Sequence, residues 1–206
     1  MNAPHNPMTP QIHPSPDPSV RPESDVTLGR YDQNPRGISF LDLLREDFDT
    51  HHRNAFSQGF WALAVHRFGN RRMSVKSRLL RMPASLLYKV MAKWVQWLCG
   101  IELAYTVKVG RRVRIWHHGG MVLGALEIGD EVEIRQNVTF GVRKNGDGRW
   151  MKPVIGKGAQ IGAGAVIVGP VVVGEGSTIG ANVVLAQDVP PNSLVTAPKP
   201  IIRSMR

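Results

Sequence analysis

Several classes of protein are excluded by what this chain of 206 residues lacks. Cys99 is its single cysteine, so neither a disulfide framework nor a multi-cysteine metal site can form, which suits a reducing compartment. No run of roughly 18 apolar residues is present to span a membrane, and no apolar run follows the first Met to act as a secretory signal. These absences predict a cytoplasmic protein that is soluble or peripheral at the inner face of the membrane.

Acidic residues are missing from one long stretch. Between Thr50 and Ile101 there is no Asp or Glu, whereas nine cations account for most of the formal net charge of +10. The nine are Arg53, Arg67, Arg71, Arg72, Lys76, Arg78, Arg81, Lys89 and Lys93. Such unbalanced charge favours an anionic partner, either an acidic or phosphorylated acceptor or an anionic membrane, and a solvated face is the simpler alternative. Nucleic acid is not expected, because no helix-turn-helix, zinc or stacking-aromatic module accompanies the cations.

Proline is concentrated at the N-terminus. Residues 1–36 hold eight of the fifteen prolines and few large apolar side chains. A segment of this composition buries too little surface to offset the entropy lost on ordering. We therefore expect it to be disordered or draped over the rest of the protein.

Helical periodicity appears next, and it predicts a basic α-helical cap at 37–100. Apolar residues recur at helical spacing in SFLDLLREDF at 39–48 and GFWALAVHRF at 59–68. The stretch 74–98 predicts one long helix, or two divided at Pro83, ending at Gly100. We expect these helices to cover the first part of the domain that follows.

Six aliphatic residues then recur at a strict spacing of six. They are Ile155, Ile161, Ile167, Val173, Ile179 and Leu185, and each is followed by Gly, Val or Ala. A helix repeats its apolar face every three or four residues and a strand every two, so neither explains this period. The spacing predicts a parallel β-helix, in which short strands alternate with corners and successive coils stack. The small or β-branched residues at the fifth position, from Ala159 to Val189, suit the interior of such corners.

The same phase extends towards the N-terminus with two interruptions. It includes Leu103, Val109, Ile115 and Met121, and then, after one extra residue around 123–127, Ile128, Ile134 and Phe140. Before Ile155 the phase slips by three residues across a stretch rich in Gly, Asn and charge, which predicts a protruding loop at 142–153. The sequence therefore predicts a β-helix at 101–195 and a C-terminal tail at 196–206.

At this point the sequence resembles a known family. The matching pieces are GIEL at 100–103, VGRR at 109–112, IWHHGG at 115–120, IRQNVTFG at 134–141, IGAGAVIVGPVVVGEG at 161–176 and DVPPNS at 188–193. They resemble the hexapeptide-repeat acyltransferases, in particular the serine acetyltransferase-like branch that includes exopolysaccharide O-acetyltransferases. The resemblance implies a left-handed β-helix, an exception to the usual right-handed crossover, and a homotrimer that uses acetyl-CoA and no metal.

By the same resemblance, the chemistry is assigned to Glu102 and His117. Counted from Val109, they lie seven residues before and eight after, the offsets of the family's catalytic carboxylate and histidine. Fifteen residues are slightly less than one coil of eighteen, so both are expected near one corner. A neutral imidazole would take the proton of an attacking hydroxyl as general base, and the carboxylate would orient it. His118 does not match the family offset and is expected to line the pocket or to face outward.

Departures from serine acetyltransferase favour a different acceptor. The replaced positions are Trp116 for an aspartate, Ala104 for a histidine, and Met151 and Lys152 for an Arg-His pair that helps to hold the amino acid. Trp116 and Trp150 are expected to flank the histidines with apolar faces that suit a sugar ring. Arg149 could supply the missing arginine if the loop is aligned with a gap, so serine remains the alternative acceptor.

For acetyl-CoA the resemblance implies a groove between adjacent subunits. Ala163 and Ala181 would let backbone amides approach the pantetheine arm, and Gly141 would lie near the thioester. Lys199 and Arg203, past the last coil, would meet the phosphates.

Two other classes share the repeat. A non-catalytic hexapeptide scaffold would have no need of Glu102 and His117 at these offsets. A γ-type carbonic anhydrase needs three histidine ligands for zinc, whereas 101–206 contain only His117 and His118. The sequence therefore predicts O-acetylation of a sugar or polysaccharide precursor.

Overall fold

The computed structural model describes residues 29–204 except 145, 147 and 149. Three helices come first: α1 (Phe40–Thr50), α2 (Gln58–Arg71) and α3 (Arg78–Cys99). Each begins at a serine whose hydroxyl accepts a hydrogen bond from the backbone N–H three residues later, which satisfies one of the free donors of the first turn. No helix among the described residues combines the length and the apolar character needed to cross a bilayer.

The predicted helices are confirmed, and α3 is continuous. Pro83 lies inside α3 and does not divide it. Both Pro83 and Leu79 are exposed, so water can solvate the Leu79 carbonyl that lacks the proline N–H as a donor. Gly100 ends the helix in the left-handed conformation, with φ of 63°.

In the part of the chain that the structure describes, sixteen short strands follow the helices. Their bounds are β1 (Ile101–Glu102), β2 (Lys108–Val109), β3 (Arg114–Ile115), β4 (Met121–Leu123), β5 (Glu127–Ile128), β6 (Glu133–Ile134), β7 (Thr139–Gly141), β8 (Arg143–Lys144), β9 (Trp150–Met151), β10 (Val154–Ile155), β11 (Gln160–Ile161), β12 (Val166–Val168), β13 (Val172–Val173), β14 (Thr178–Ile179), β15 (Val184–Leu185) and β16 (Leu194–Val195). All but β8 and β9 belong to three parallel sheets.

The three sheets form the faces of a triangular prism. Sheet A has the order β1-β4-β7-β12-β15, sheet B β13-β10-β5-β2, and sheet C β16-β14-β11-β6-β3. The chain visits A, B and C in turn and stacks five coils, which confirms the predicted left-handed parallel β-helix. The aliphatic positions of the repeat are buried, and so are the corner residues from Ala159 to Val189, including Ser177, which is fully buried.

The first interruption of the repeat differs from the sequence prediction. Leu123, rather than Met121, pairs with Phe140 in sheet A. The corner after Ile115 is therefore two residues longer than the regular spacing of six, and the next corner, from Leu123 to Ile128, is one residue shorter. Both Met121 and Leu123 are buried, so hydrophobicity alone did not distinguish the two registers.

The second interruption is a hairpin. β8 and β9 pair antiparallel between β7 of sheet A and β10 of sheet B, outside the three parallel sheets. The hairpin of β8 and β9 therefore protrudes from the prism at the edge between sheets A and B.

Polar side chains of the helices dock on the first coil. Arg67 donates to the carbonyls of Val109 and Gly110 at 2.7 and 2.6 Å. Its guanidinium also contacts the Asp47 carboxylate, with Nε 2.9 Å from Oδ2, and both side chains are fully buried. Burial raises the pKa of the Asp47 carboxyl, and the charge of Arg67 counteracts this effect. The pair thus supplies hydrogen bonds to carbonyls of the first coil.

Two buried histidines complete this junction. The Ile115 N–H donates to Nε2 of His51 at 3.2 Å, so its Nδ1 carries the proton and donates to the Asp47 carbonyl at 2.7 Å. His66 Nε2 lies 2.9 Å from the carbonyl of Val107. Burial lowers the pKa of His51, and burial together with the neighbouring Arg67 charge lowers the pKa of His66 to about 3. Both rings are therefore neutral at neutral pH.

Four of the nine cations in the acid-free stretch are buried or paired, so fewer are available to an anionic partner than the sequence suggests. Of the nine cations between Thr50 and Ile101, Arg67 and Arg72 are buried, and Arg72 lies over the rings of Tyr88 and Tyr105. Arg53 pairs with Asp49, and Arg71 lies 3.7 Å from Asp32. The remaining five cations are at the start of α3 or along it.

The N-terminal segment lies mostly outside the described residues, since its first 28 residues are not among them. Its last part lies against α2: the Gln33 N–H donates to Asn70, and the Asn34 amide donates to the carbonyl of Arg67. Residues 32–34 are thus draped over the cap.

Candidate active site

The corner between sheets C and A in the first turn of the prism holds both histidines. His117 has φ of 56°, and Gly119 and Gly120 have φ of 100° and 61°. In most regular corners the left-handed residue is the third after the buried aliphatic residue, as in Arg112 and Asn137, whereas His117 is the second after Ile115. Left-handed residues recur at the corners of this prism, so the conformation of His117 does not by itself mark a functional site. What distinguishes this corner is its extra length and the place of the left-handed residue within it.

This corner is held from both sides. The Gly119 N–H donates to the carbonyl of Cys99 at the end of α3, and the Gly119 carbonyl accepts from the Asn137 N–H of the next coil. A Cβ on Gly120 would lie 2.7 Å from Oδ1 of Asn137, so the glycine is needed for close packing. His117 and His118 are both exposed in the single chain.

Glu102 lies on β1, beside α3. Its Oε2 accepts a hydrogen bond from Nε2 of Gln96 at 3.0 Å, and Oε1 of Gln96 accepts from Nζ of Lys93 at 2.7 Å. Glu102 pairs in register with Val122, on the strand that the histidine corner leads into. Among the described residues no hydrogen bond joins Glu102 to His117, so the orienting role of the carboxylate stays a prediction.

One edge of the prism, between sheets C and A, collects residues from four of the five coils. Ile115, Ile134, Ile161 and Ile179 are stacked in sheet C, and the residues two positions later are His117, Gln136, Ala163 and Ala181. Coils are spaced by about 4.8 Å, so Ala163 lies about 10 Å and Ala181 about 15 Å from His117 along the prism axis. The exposed tail with Lys199 and Arg203 follows β16 of the same sheet. The predicted base thus shares one edge with Ala163 and Ala181, two of the five predicted cofactor residues.

Comparisons with known proteins show to which family the chain belongs. The family model of the bacterial transferase hexapeptide (six repeats) matches residues 152–187. A putative colanic acid biosynthesis acetyltransferase, WcaB of Escherichia coli, is 32% identical over 137 residues, which cover 66% of this chain and 82% of that protein. The chain belongs to the hexapeptide-repeat acetyltransferases.

This chain is also similar to serine acetyltransferases. That of Mycobacterium tuberculosis is 39% identical over 118 residues, 57% of this chain, and the chain spans about half, 51%, of its length. The solved structure of soybean serine acetyltransferase complexed with serine has a TM-score of 0.62 and 26% identity, covering 78% of this chain and 68% of that one. The sequence is therefore similar both to a relative named for colanic acid biosynthesis and to relatives named serine acetyltransferase.

One face of the Trp116 ring is covered by another side chain in the folded protein. The guanidinium of Arg114 lies 3.5 Å from the centre of its ring, and that of Arg135 lies 5.6 Å away. The indole N–H donates to Glu133 at 2.9 Å. Trp116 is therefore fixed by Arg114 and Glu133, and its ring centre lies 6.5 Å from that of His117. That its remaining apolar surface suits a sugar ring stays a prediction.

Trp150 lies at a different edge of the prism. It is on β9 of the hairpin between sheets A and B, where its ring is 55% exposed and Lys144 Nζ lies 4.9 Å from the ring centre. Gly141, at the end of β7, and Met151 share this edge. The expectation that Trp150 flanks His117 is therefore wrong within one chain, because the hairpin inserts one sheet later than the histidine corner. Arg149 lies outside the described residues.

A cleft of 640 Å³ separates α3 from the first coil. Its walls include Glu102 and Ala104 from the coil and Lys89, Lys93 and Gln96 from the helix. Lys89, Lys93 and Gln96 were not predicted from the sequence as site residues. Their spacing of four and three residues puts them on one side of a helix, but only the docking of α3 shows that this side faces Glu102.

Gln136 is a second residue that the sequence analysis missed. It lies in the corner between sheets C and A one coil after His117, at the position that Gly119 takes in the first coil, because the Asn137 N–H donates to the Gly119 carbonyl as the Gly164 N–H donates to the Gln136 carbonyl. Its Oε1 is buried without a hydrogen-bond partner among the described residues. A buried amide oxygen of this kind is normally satisfied, so it is available to a donor that enters the edge. The repeat phase could have identified it, because Gln136 stands two residues after Ile134.

Metal ligands are not clustered in the described part of this protein. No group of three or more His, Cys, Asp or Glu side chains there could hold an ion. The residues that could hold acetyl-CoA are instead the small ones at the edge of His117.

Proposed function

We propose that this protein is an acetyl-CoA-dependent O-acetyltransferase that acts on a hydroxyl of a sugar or polysaccharide precursor. The observation that carries the proposal is the shared edge of His117, Ala163 and Ala181. A pantetheine arm laid along the alanines would bring its thioester to the histidine, because about 10 to 15 Å of edge separates them. Family membership supports the acetyl group as the one transferred.

In this mechanism His117 takes the proton of the acceptor hydroxyl as its oxygen attacks the thioester carbonyl carbon. The carbon–sulfur bond then breaks, and the imidazolium returns the proton to the departing thiolate. General base catalysis of this kind contributes ~10²- to 10⁴-fold to the rate. Glu102 would stabilise the imidazolium without forming a covalent intermediate.

The acceptor is inferred from two features. The positions that hold serine in the related enzymes are Trp116, Ala104, Met151 and Lys152 here, so the paired counter-charges for a free amino acid are reduced. The cleft beside Glu102 is lined by Lys89 and Lys93, which suits an acceptor with a phosphate or an acidic group. The match over 82% of a putative colanic acid biosynthesis acetyltransferase supports a glycan over an amino acid.

Serine is the second candidate, because the serine acetyltransferase of Mycobacterium tuberculosis is 39% identical over the matched part. The two are distinguished by supplying labelled acetyl-CoA with L-serine and, separately, with sugar and acidic glycan acceptors. Saturable transfer only to glycans supports the proposal, whereas efficient O-acetylserine formation restores serine.

The mechanism has a matched test in the same corner. His117→Ala should lower turnover by at least ~10²-fold, His118→Ala should have a much smaller effect, and Glu102→Gln should lie between them. Near-native turnover of the His117 variant would contradict the assignment.

We also propose a homotrimer with the cofactor groove between neighbouring subunits. His117 and the hairpin of Trp150 are at different edges of one chain, so a shared site would need the hairpin of another subunit. Sedimentation should give a trimer, and a stable, active monomer would remove the shared site.

A further inference from the structure

Helix α3 exposes a continuous apolar stripe. Its most exposed members are Leu79 at 78%, Trp97 at 75% and Leu80 at 73%, followed by Leu98, Leu86 and Trp94. These residues recur at helical spacing on the side away from Tyr88 and Cys99, the buried residues of the helix. We call them the α3 face. An apolar surface of this extent is unusual on a monomer and marks an interaction site.

Cations flank the α3 face. Arg78, Lys89 and Lys93 form a row along one side of it, since they are separated by eleven and four residues on a helix of 3.6 residues per turn. Lys76 lies just before the helix, and no acidic residue occurs between Thr50 and Ile101. Unlike Arg53, Arg67 and Arg71, these cations form no ion pair among the described residues. The charge of Lys76 and Arg78 is therefore available to an external partner, whereas Lys89 and Lys93 also border the cleft beside Glu102.

An apolar cleft opens beside the α3 face. It encloses 330 Å³ between α2 and α3 and is lined by Trp61, Met91, Trp94, Leu98 and other apolar residues. The cleft has room for part of an aliphatic chain, and two tryptophans border it. Tryptophan is favoured where apolar and aqueous phases meet.

We propose that the α3 face binds the surface of a bilayer that contains anionic lipids, with the helix lying in the plane of the interface. Its 22 residues would extend about 33 Å along the surface. Leucine and tryptophan would enter the acyl boundary while the flanking cations meet lipid phosphates. A second copy docked face to face is disfavoured, because it would bring two basic surfaces together without a compensating acid.

This inference does not rest on the proposed enzyme activity, and it is tested with the full chain and lipid vesicles. The protein should float with phosphatidylcholine vesicles containing about 30% phosphatidylglycerol and much less with phosphatidylcholine alone. Raising the salt from about 0.1 M to about 0.5 M should weaken binding, because the charge component is screened. The tryptophan fluorescence should shift to the blue on binding as Trp94 and Trp97 leave water.

Substitutions separate the contribution of the cations from that of the apolar side chains to vesicle binding. Lys76→Gln combined with Arg78→Gln should lower partitioning about 25-fold, at about fivefold for each cation. Lys157→Gln, an exposed lysine on the coils, should change it less than about twofold. Leu79→Ser combined with Trp97→Ser should abolish binding, and because both side chains are exposed the fold should persist by circular dichroism.

Three results would overturn the proposal. One is equal binding to neutral and anionic vesicles, and another is unchanged binding by either double variant. The third is no vesicle binding together with a smaller assembly of the Leu79 and Trp97 double variant in sedimentation, which would make the α3 face a contact between protein subunits.

Discussion

Acid should destabilise this protein through His66. In the folded state its pKa is lowered from 6.5 to about 3 by burial and by the charge of Arg67. An unfolded chain therefore binds a proton below pH 6.5 that the folded chain does not, so stability is fully present above that pH and falls as the pH drops towards 3. Between about pH 7.5 and about pH 4.5 this one group should cost about 2–3 kcal/mol of unfolding free energy.

The contribution is isolated by comparison with His66→Gln, which removes the titrating group and keeps an N–H donor for the Val107 carbonyl. Urea unfolding followed by tryptophan fluorescence, at one fixed protein concentration, should show a loss of unfolding free energy between the two pH values that is smaller in the variant by about 2–3 kcal/mol. His118→Gln, at an exposed site, should lose as much as the native protein. Equal losses in the native protein and the His66 variant would refute the assignment of a buried, neutral imidazole.

Two other predictions concern the docking of the cap. Arg67→Met should lower the unfolding free energy by about 3–5 kcal/mol, because it leaves the buried carboxylate of Asp47 without its partner, and adding Asp47→Leu should recover part of this loss in urea titrations. Gly59→Ala should lower the melting temperature by several degrees, at a cost of about 1–3 kcal/mol, since its Cβ would lie 2.4 Å from the carbonyl oxygen of Ile115. Gly146→Ala, where nothing lies within 4 Å, is the matched control and should melt with the native protein.

The coils were predictable because each carries its own local information. An aliphatic residue every six positions must face the interior, and the buried series from Ile155 to Leu185 does so. The register near Leu123 was not predictable, because Met121 and Leu123 are equally apolar and the choice depends on pairing with Phe140. A sequence pattern therefore predicts which residues are buried more reliably than it predicts which residues are paired with each other.

The site was predictable only in part for a similar reason. The offsets of Glu102 and His117 came from a resemblance, and the edge shared by His117 with Ala163 follows from the repeat phase. The placement of Trp150 depends on which sheet the hairpin leaves, which its local composition does not encode. Arg67 is buried among carbonyls although its sequence neighbourhood is that of a surface cation, because its partner Asp47 is twenty residues away.

The junction between cap and coils also limits how the protein can assemble. A parallel β-helix has no intrinsic end, since the strands of its first coil present the same backbone groups that bind the second coil to the third. His51, His66 and Arg67 occupy three of those groups, the Ile115 N–H and the carbonyls of Val107 and Val109, so another prism cannot stack there. A chain cut at Gly100 would retain every coil but would expose this surface as a template. The three side chains therefore prevent prisms of five coils from stacking end to end into a fibre.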